Sequence, residues 1–80
     1  MNKIIKIEQE NCPPCKMVDN FLKPNNITFQ SYDAMEDFEV VERFGIMGTP
    51  VTILLNSEED EIDRVVGFNP PLLEKLISQI

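Results

Sequence analysis

The chain has 80 residues, with two cysteines, no histidine, and 14 acidic against 7 basic side chains for a net charge of −7. This length predicts one domain over residues 1–80, and the negative charge argues against nucleic acid or an anionic membrane surface as a partner. Without histidine, a Ser-His-Asp or Cys-His nucleophile is excluded, and two cysteines cannot fill a four-ligand zinc site within one chain.

Hydrophobic periodicity and turn residues predict seven elements in the order β-α-β-α-β-β-α. Prolines 13 and 14 fit a first helical turn, and Gly45 and Asn69 fit a helix end and a helix start. A strand–helix–strand unit followed by a hairpin predicts a four-stranded mixed sheet flanked by three helices, an α/β fold. The predicted strands are 3–8, 27–32, 51–55 and 62–66. The first and third predicted helices follow Cys12 and Asn69, and the second is capped by Asp33 or Asp37.

Polarity along the helices predicts which side chains face solvent. Asp19 falls on the polar side of the first helix, opposite its apolar stripe. In the second helix, Phe38, Val41 and Phe44 are expected on the inward side. The acidic run of Glu36, Asp37, Glu39 and Glu42 is expected to be a solvated face rather than a docking surface.

The chemistry of the chain centres on Cys12-Pro13-Pro14-Cys15, which lies between the first strand and the first helix. At a helix N-terminus, free N–H groups and the positive end of the dipole stabilise a thiolate. Cys15 lies one turn further along the same face, within reach of a disulfide bond to Cys12. The motif therefore predicts that Cys12 attacks a disulfide and that Cys15 resolves the mixed disulfide.

Three motifs together resemble the thioredoxin superfamily, and the likeness spans nearly the whole chain. They are Cys12 to Met17, Phe44 to Pro50 and Val66 to Pro70. The third motif and the short length are similar to the small glutaredoxin-like redoxins that donate electrons to ribonucleotide reductase. The resemblance implies a thioredoxin-like fold and a redox carrier that acts through the Cys12–Cys15 disulfide without a bound cofactor or metal.

The resemblance also implies the roles of residues around the cysteines. Pro14 matches the proline between the cysteines, and Pro50 is expected to be cis and to face the two sulfurs. Thr49 is expected to pair its backbone with the substrate, and Gly67 to border the same groove. The expected substrate rim consists of Asn11, Pro13, Met47, Gly48 and Phe68, although Phe68 is equally consistent with a core position.

Several residues depart from the family pattern. Asn11 replaces the usual aromatic residue before the first cysteine, and Lys6 replaces the buried acid six residues before it. Since lysine is rarely fully buried, we expect Lys6 to face solvent and the proton of Cys15 to pass to water or to another residue. Val66 to Asn69 lacks the Gly-Gly pair of glutathione-using glutaredoxins.

These departures favour thioredoxin reductase over glutathione as the electron donor, with protein disulfides, including that of ribonucleotide reductase, as acceptors. We expect a monomer in the cytoplasm, because no export segment precedes the first strand and cysteine pairs there are more often catalytic than structural. The alternative is a metal-binding module in which two copies of the chain share a zinc site of four cysteines.

Overall fold

A computed structural model describes residues 1–80 and contains the seven predicted elements in the predicted order. The bounds are β1 Lys3–Glu8, α1 Pro13–Leu22, β2 Phe29–Asp33, α2 Phe38–Phe44, β3 Val51–Leu55, β4 Glu61–Val66 and α3 Pro70–Ile77. The second strand begins at Phe29 rather than at Ile27, because the Ile27 N–H still bonds to the Leu22 carbonyl in the turn that closes α1.

The four strands form one mixed sheet in the order β2-β1-β3-β4, which confirms the predicted fold class. β1 and β2 are parallel and are connected through α1, whereas β3 is antiparallel to both β1 and β4. The two central strands, β1 and β3, are covered on both faces, so their apolar residues run continuously instead of alternating.

Two separate hydrophobic clusters cover the two faces of the sheet. On one face, α1 and α3 pack over the sheet; this two-helix face contains Ile4, Val18, Leu22, Leu54, Val65, Leu73 and Leu76. On the other face, α2 packs alone; this one-helix face contains Ile5, Ile7, Phe44, Val51, Ile53 and Leu55. None of the three helices is both long and apolar enough to cross a membrane.

The orientation predicted for α2 is only partly correct. Phe44 is buried, but Phe38 is 69% exposed, and Val40 packs inward in its place. Phe38 is the first residue of the helix, so its side chain projects beyond the part of α2 that covers the sheet. Gly45 ends α2 in the left-handed conformation, with φ of 62°, as its position predicted.

Candidate functional site

The two cysteines lie at the start of α1, at the end of the sheet where β1 stops. Cys12 is the N-cap residue and the two prolines occupy the first two helical positions, so the helix begins within the motif. The cysteines form a disulfide bond, with their Cα atoms 5.2 Å apart. The Cys12 Sγ also accepts a hydrogen bond of 3.2 Å from the Cys15 backbone N–H. This donor and the helix N-terminus favour negative charge on Cys12.

The two sulfur atoms differ in access to solvent. Cys15 is only 4% exposed and packs beneath the first turn, whereas Cys12 is half-buried. A partner disulfide can therefore approach the Cys12 side of the bond but not the Cys15 side.

Two loops from later in the chain meet this disulfide. The Thr49–Pro50 peptide bond is cis, the Pro50 side chain is buried, and the Thr49 Oγ1 lies 3.8 Å from the Cys12 Sγ. The Gly67 N–H donates a 2.8 Å hydrogen bond to the Pro50 carbonyl, which joins the second loop to the first. Gly67 has φ of 79°, in the left-handed region that glycine adopts without strain. The fold thus brings Cys12, Thr49, Pro50 and Gly67 together.

The predicted rim residues divide into two groups. Asn11, Pro13, Met47 and Gly48 are exposed beside the motif and the cis-proline loop. Phe68 is half-buried and packs against the hydrophobic cluster of the two-helix face, so it is partly a core residue. Pro14, between the cysteines, is half-buried within the first turn of α1.

Gln9 is part of the site although the sequence did not indicate it. Its Oε1 accepts a 2.9 Å hydrogen bond from the Thr49 hydroxyl, which also lies near the Cys12 sulfur. Its amide nitrogen lies 3.4 Å from the sulfur of the exposed Met35. A lone glutamine in a polar loop has no spacing that would have identified it.

The prediction that Lys6 faces solvent is wrong, because its side chain is fully buried. Lys6 belongs to a central strand that α1 covers, and its ammonium finds partners there. The Nζ atom is 2.6 Å from the Glu8 carboxylate, forms an ion pair with Asp19, and donates a 3.3 Å hydrogen bond to the Cys15 carbonyl. Asp19 was expected to face solvent because it is polar, but its side chain pairs with Lys6 and is only 27% exposed.

A positional signal for Asp19 did exist in the sequence. It follows Cys15 by four residues in α1, and residues at that spacing are neighbours on one side of a helix.

No group of three or more His, Cys, Asp or Glu side chains is arranged as metal ligands. The chemistry available at this site is accordingly that of two sulfurs, a hydroxyl, several backbone N–H groups and a charged cluster.

Comparison with known proteins places the chain among redoxins. Residues 4–57 match the glutaredoxin family. Over 78 residues the chain is 49% identical to an SPbeta prophage-derived thioredoxin-like protein, YosR, of Bacillus subtilis, and the match covers 98% of each protein. Three longer thioredoxins of fungal and plant origin also match, but the chain spans only 42% to 60% of their length.

Solved thioredoxin structures share the fold. The thioredoxin of Nicotiana alata is 29% identical and superposes with a TM-score of 0.82, over 98% of this chain and 71% of that one. The thioredoxin of Malassezia sympodialis is 25% identical, with a TM-score of 0.83, over 98% of this chain and 73% of that one. The predicted resemblance is confirmed at the level of both sequence and fold.

Proposed function

This chain belongs to the thioredoxin superfamily of thiol–disulfide oxidoreductases, and we propose that it is a reductant of protein disulfides in which Cys12 attacks and Cys15 resolves. The observation that carries this assignment of roles is the difference in exposure between the two sulfurs. Cys12 is partly exposed at a helix N-terminus, whereas Cys15 is 4% exposed beneath it. An attacking thiolate must reach its partner, and a resolving thiol has only to reach Cys12.

The reaction transfers two electrons in two exchange steps. In the first, the Cys12 thiolate displaces one sulfur of the target disulfide and forms a mixed disulfide. In the second, Cys15 loses its proton and attacks the Cys12 sulfur, which releases the second target sulfur as a thiolate that takes up a proton. The target disulfide is reduced to two thiols, and the Cys12–Cys15 bond closes.

We assign the two loops beside Cys12 to substrate binding. Thr49 precedes the cis-proline and its hydroxyl lies 3.8 Å from the Cys12 sulfur, and Gly67 lacks a side chain that would block a partner chain. We propose that the exposed residues Asn11, Pro13, Met47 and Gly48 form the substrate rim, together with the half-buried Phe68. A shallow rim of this kind suits an extended segment of a protein more than a small molecule.

The partners follow from the family and from departures in this chain. We propose a flavin-dependent thioredoxin reductase as the donor rather than glutathione, because Val66 to Asn69 lacks the Gly-Gly pair of glutathione-using relatives. An enzyme with a catalytic disulfide, such as ribonucleotide reductase, is the proposed acceptor. We propose that residues 1–80 act as one monomeric domain in a reducing, cytoplasmic environment.

Two cysteine variants test the roles. We expect Cys12→Ser to abolish reduction of insulin disulfides, and Cys15→Ser to accumulate a mixed disulfide through Cys12. The measurement combines insulin turnover with mass spectrometry of the trapped adducts. Turnover by Cys12→Ser, together with no adduct on Cys15→Ser, would show that the roles are assigned incorrectly.

A coupled assay tests the donor. Reduction of the oxidised protein is followed with NADPH and thioredoxin reductase, or with glutathione and glutathione reductase, under otherwise identical conditions. We expect faster reduction by thioredoxin reductase. Faster reduction by glutathione would contradict the proposed donor while leaving the cysteine roles intact.

A further inference from the structure

Lys6 is the largest fully buried side chain in the molecule, and the exchange reaction as described above does not use it. Its Nζ contacts the Cys15 carbonyl at 3.3 Å and the Glu8 carboxylate at 2.6 Å, and it forms an ion pair with Asp19. We call Glu8, Lys6 and Asp19 the Lys6 cluster. Burying an ammonium is unfavourable unless it is well paired, so the Lys6 cluster is an uncommon arrangement for the core of a small domain.

The Lys6 cluster and both cysteine residues line the same cleft. This cleft of about 400 Å³ is open to solvent and is bordered by Lys6, Glu8, Cys12, Cys15 and Asp19, among others. Asp19 follows Cys15 by four residues in α1, so the carboxylate lies on the side of the helix that carries the buried sulfur. The cleft therefore connects Cys15 and the Lys6 cluster to solvent, beside the rim residue Asn11.

The composition of the cluster allows it to take up a proton. A single carboxylate paired with a buried ammonium resists protonation, because the proton would leave the ammonium without a counter-charge. Here two carboxylates share one ammonium, with their side chains 36% and 27% exposed. If one carboxylate is protonated, the other still neutralises Lys6.

A hydroxyl beside the cluster is also without a partner in the disulfide form. Thr52 pairs with Lys6 across β1 and β3 and therefore projects to the same face of the sheet. Its Oγ1 is buried and makes no hydrogen bond. Because an unpaired buried hydroxyl is unfavourable, the polar groups beneath α1 are incompletely satisfied.

We propose that the Lys6 cluster receives the proton of Cys15 when the mixed disulfide is resolved and releases it through the cleft. Lys6 is the positioning residue, and Asp19 is the proton acceptor, with Glu8 as the second carboxylate that can take this role. As the proton leaves the Cys15 thiol for a carboxylate of the cluster, the sulfur attacks Cys12, the Cys12–substrate bond breaks, and the substrate leaves as a thiolate. The carboxylate then passes the proton to water, and the substrate thiolate takes one from solvent. This inference rests on the proposed function.

Other charged groups lie around the cluster and contribute to the pH dependence of resolution by Cys15. Glu10 and Lys16 line the same cleft, and Lys23 lies with Glu8 and Asp19 in the adjoining depression over β2. From β2, the ring of Phe29 lies 5.9 Å from the Lys6 Nζ and carries no charge. Ser31, which also lines that depression, and Thr52 are uncharged as well.

The test separates attack by Cys12 from resolution by Cys15. Reduced protein is mixed with a peptide that has an intramolecular disulfide, so the mixed disulfide persists until Cys15 displaces the peptide. Acid quenching and mass spectrometry then count the mixed disulfide and the oxidised protein as a function of time. Wild type, Asp19→Asn, Glu8→Gln, Asp19→Glu and the double variant E8Q/D19N are compared from neutral pH to about pH 9.5.

We expect the double variant to resolve the mixed disulfide at least about tenfold more slowly at neutral pH, the lower range of a general-base effect. Asp19→Asn should be slowed less, Glu8→Gln least, and Asp19→Glu should be close to wild type. The difference should vanish at about pH 9.5, where hydroxide ionises a thiol whose unperturbed pKa is about 8.5. Attack by Cys12 should be unchanged in all variants.

The control matched to Asp19→Asn is Asp60→Asn, which removes one negative charge from the exposed turn before β4. Resolution rates of the double variant that equal those of this control at every pH would overturn the proposal. A slowing that is the same at neutral and high pH would overturn it too, since that pattern indicates displaced geometry. If wild type itself forms no mixed disulfide, the proposed function fails, which is distinguishable from both results.

Discussion

The two faces of the sheet differ in the chemistry of their buried side chains. On the one-helix face, Ile5, Ile7, Val51, Ile53 and Leu55 meet Phe44 of α2 in a cluster without a fully buried polar side chain. On the two-helix face, the same two strands contribute the buried polar pair Lys6 and Thr52 next to Ile4 and Leu54. The residues of one strand thus alternate between a face whose buried side chains are all apolar and one that contains a buried charge.

The position of the polar residues explains this difference. The two-helix face is the one that α1 covers, and α1 begins at the reactive cysteines. Lys6 and Thr52 lie at the level of its first turns, whereas Ile4 and Leu54 lie further along the strands, in the apolar cluster. The one-helix face therefore contributes mainly to stability. At the end of the two-helix face near Cys15, a charged cluster takes the place of apolar packing.

The largest effect on stability is expected on the one-helix face. Ile53 is fully buried in the centre of β3, so Ile53→Ala should lower the free energy of unfolding by about 2–5 kcal/mol through lost burial and a cavity. Urea unfolding measures the loss, and the reactivity of Cys12 in the folded protein should be unchanged. A loss below about 1 kcal/mol would show that this face is not the main source of stability.

On the two-helix face, Lys6→Met should leave the free energy of unfolding unchanged or raise it. Replacing a whole buried ion pair by hydrophobic side chains is often neutral or stabilising by about 1–4 kcal/mol, and removing one partner is costly only where the other charge stays buried. The remaining carboxylates of Glu8 and Asp19 are partly exposed and can turn to water. Urea unfolding should therefore show equal or higher stability, while resolution by Cys15 slows at neutral pH. A destabilisation comparable to that of Ile53→Ala would remove the contrast between the faces.

Thr52→Val tests the unpaired hydroxyl beside Lys6. Because the Thr52 Oγ1 is buried without a hydrogen bond, replacing it by a methyl group of similar shape should raise the free energy of unfolding of the oxidised protein by about 1 kcal/mol. Urea unfolding of the oxidised and the reduced protein gives the value in each state. A loss of stability in the oxidised protein would show that the hydroxyl has a partner there.

The smallest effect concerns Asp63, at the far end of the two-helix face. The Gln79 side chain and the Arg64 backbone N–H donate hydrogen bonds to its carboxylate and lower its pKa below the ordinary value of 3.8. A lowered pKa in the folded state stabilises the protein above the unfolded pKa, and that stabilisation is lost as the pH falls through the folded one.

Asp63→Asn should therefore cost about 0.5 kcal/mol at neutral pH, the low end for a hydrogen bond, because solvent screens this carboxylate. The cost is measured by urea unfolding and should become progressively smaller in acid. A loss of stability that is independent of pH would show that the loss comes from packing and not from the charge of Asp63.

The elements of the fold were predictable because local residues specify them. The apolar run of β3, the glycine after α2 and the Asn69–Pro70 start of α3 each act within a few residues, and all three were located correctly. The side of a helix that faces inward was harder to predict. Phe38 fits the apolar spacing of α2 but lies at its first position, so it points past the sheet.

The site was predictable where its residues are close in sequence and where the resemblance supplied the rest. Cys12 and Cys15 are three residues apart, and the loops at Pro50 and Gly67 were expected from the family pattern. The partners of Lys6 were not predicted. Its burial depends on α1 covering a central strand, and its neutralisation depends on Asp19 reaching back from that helix.

The sequence alone thus determined the order of the elements, the placement of a Cys-Pro-Pro-Cys motif at a helix start, and the type of reaction. These properties depend on backbone preferences and on contacts within one or two turns. Only the tertiary structure decided that Thr49 and Gln9 meet Cys12 and that a lysine lies buried beside Cys15. Such contacts join residues from different elements, and whether a charge there is buried or solvated depends on which helix covers it.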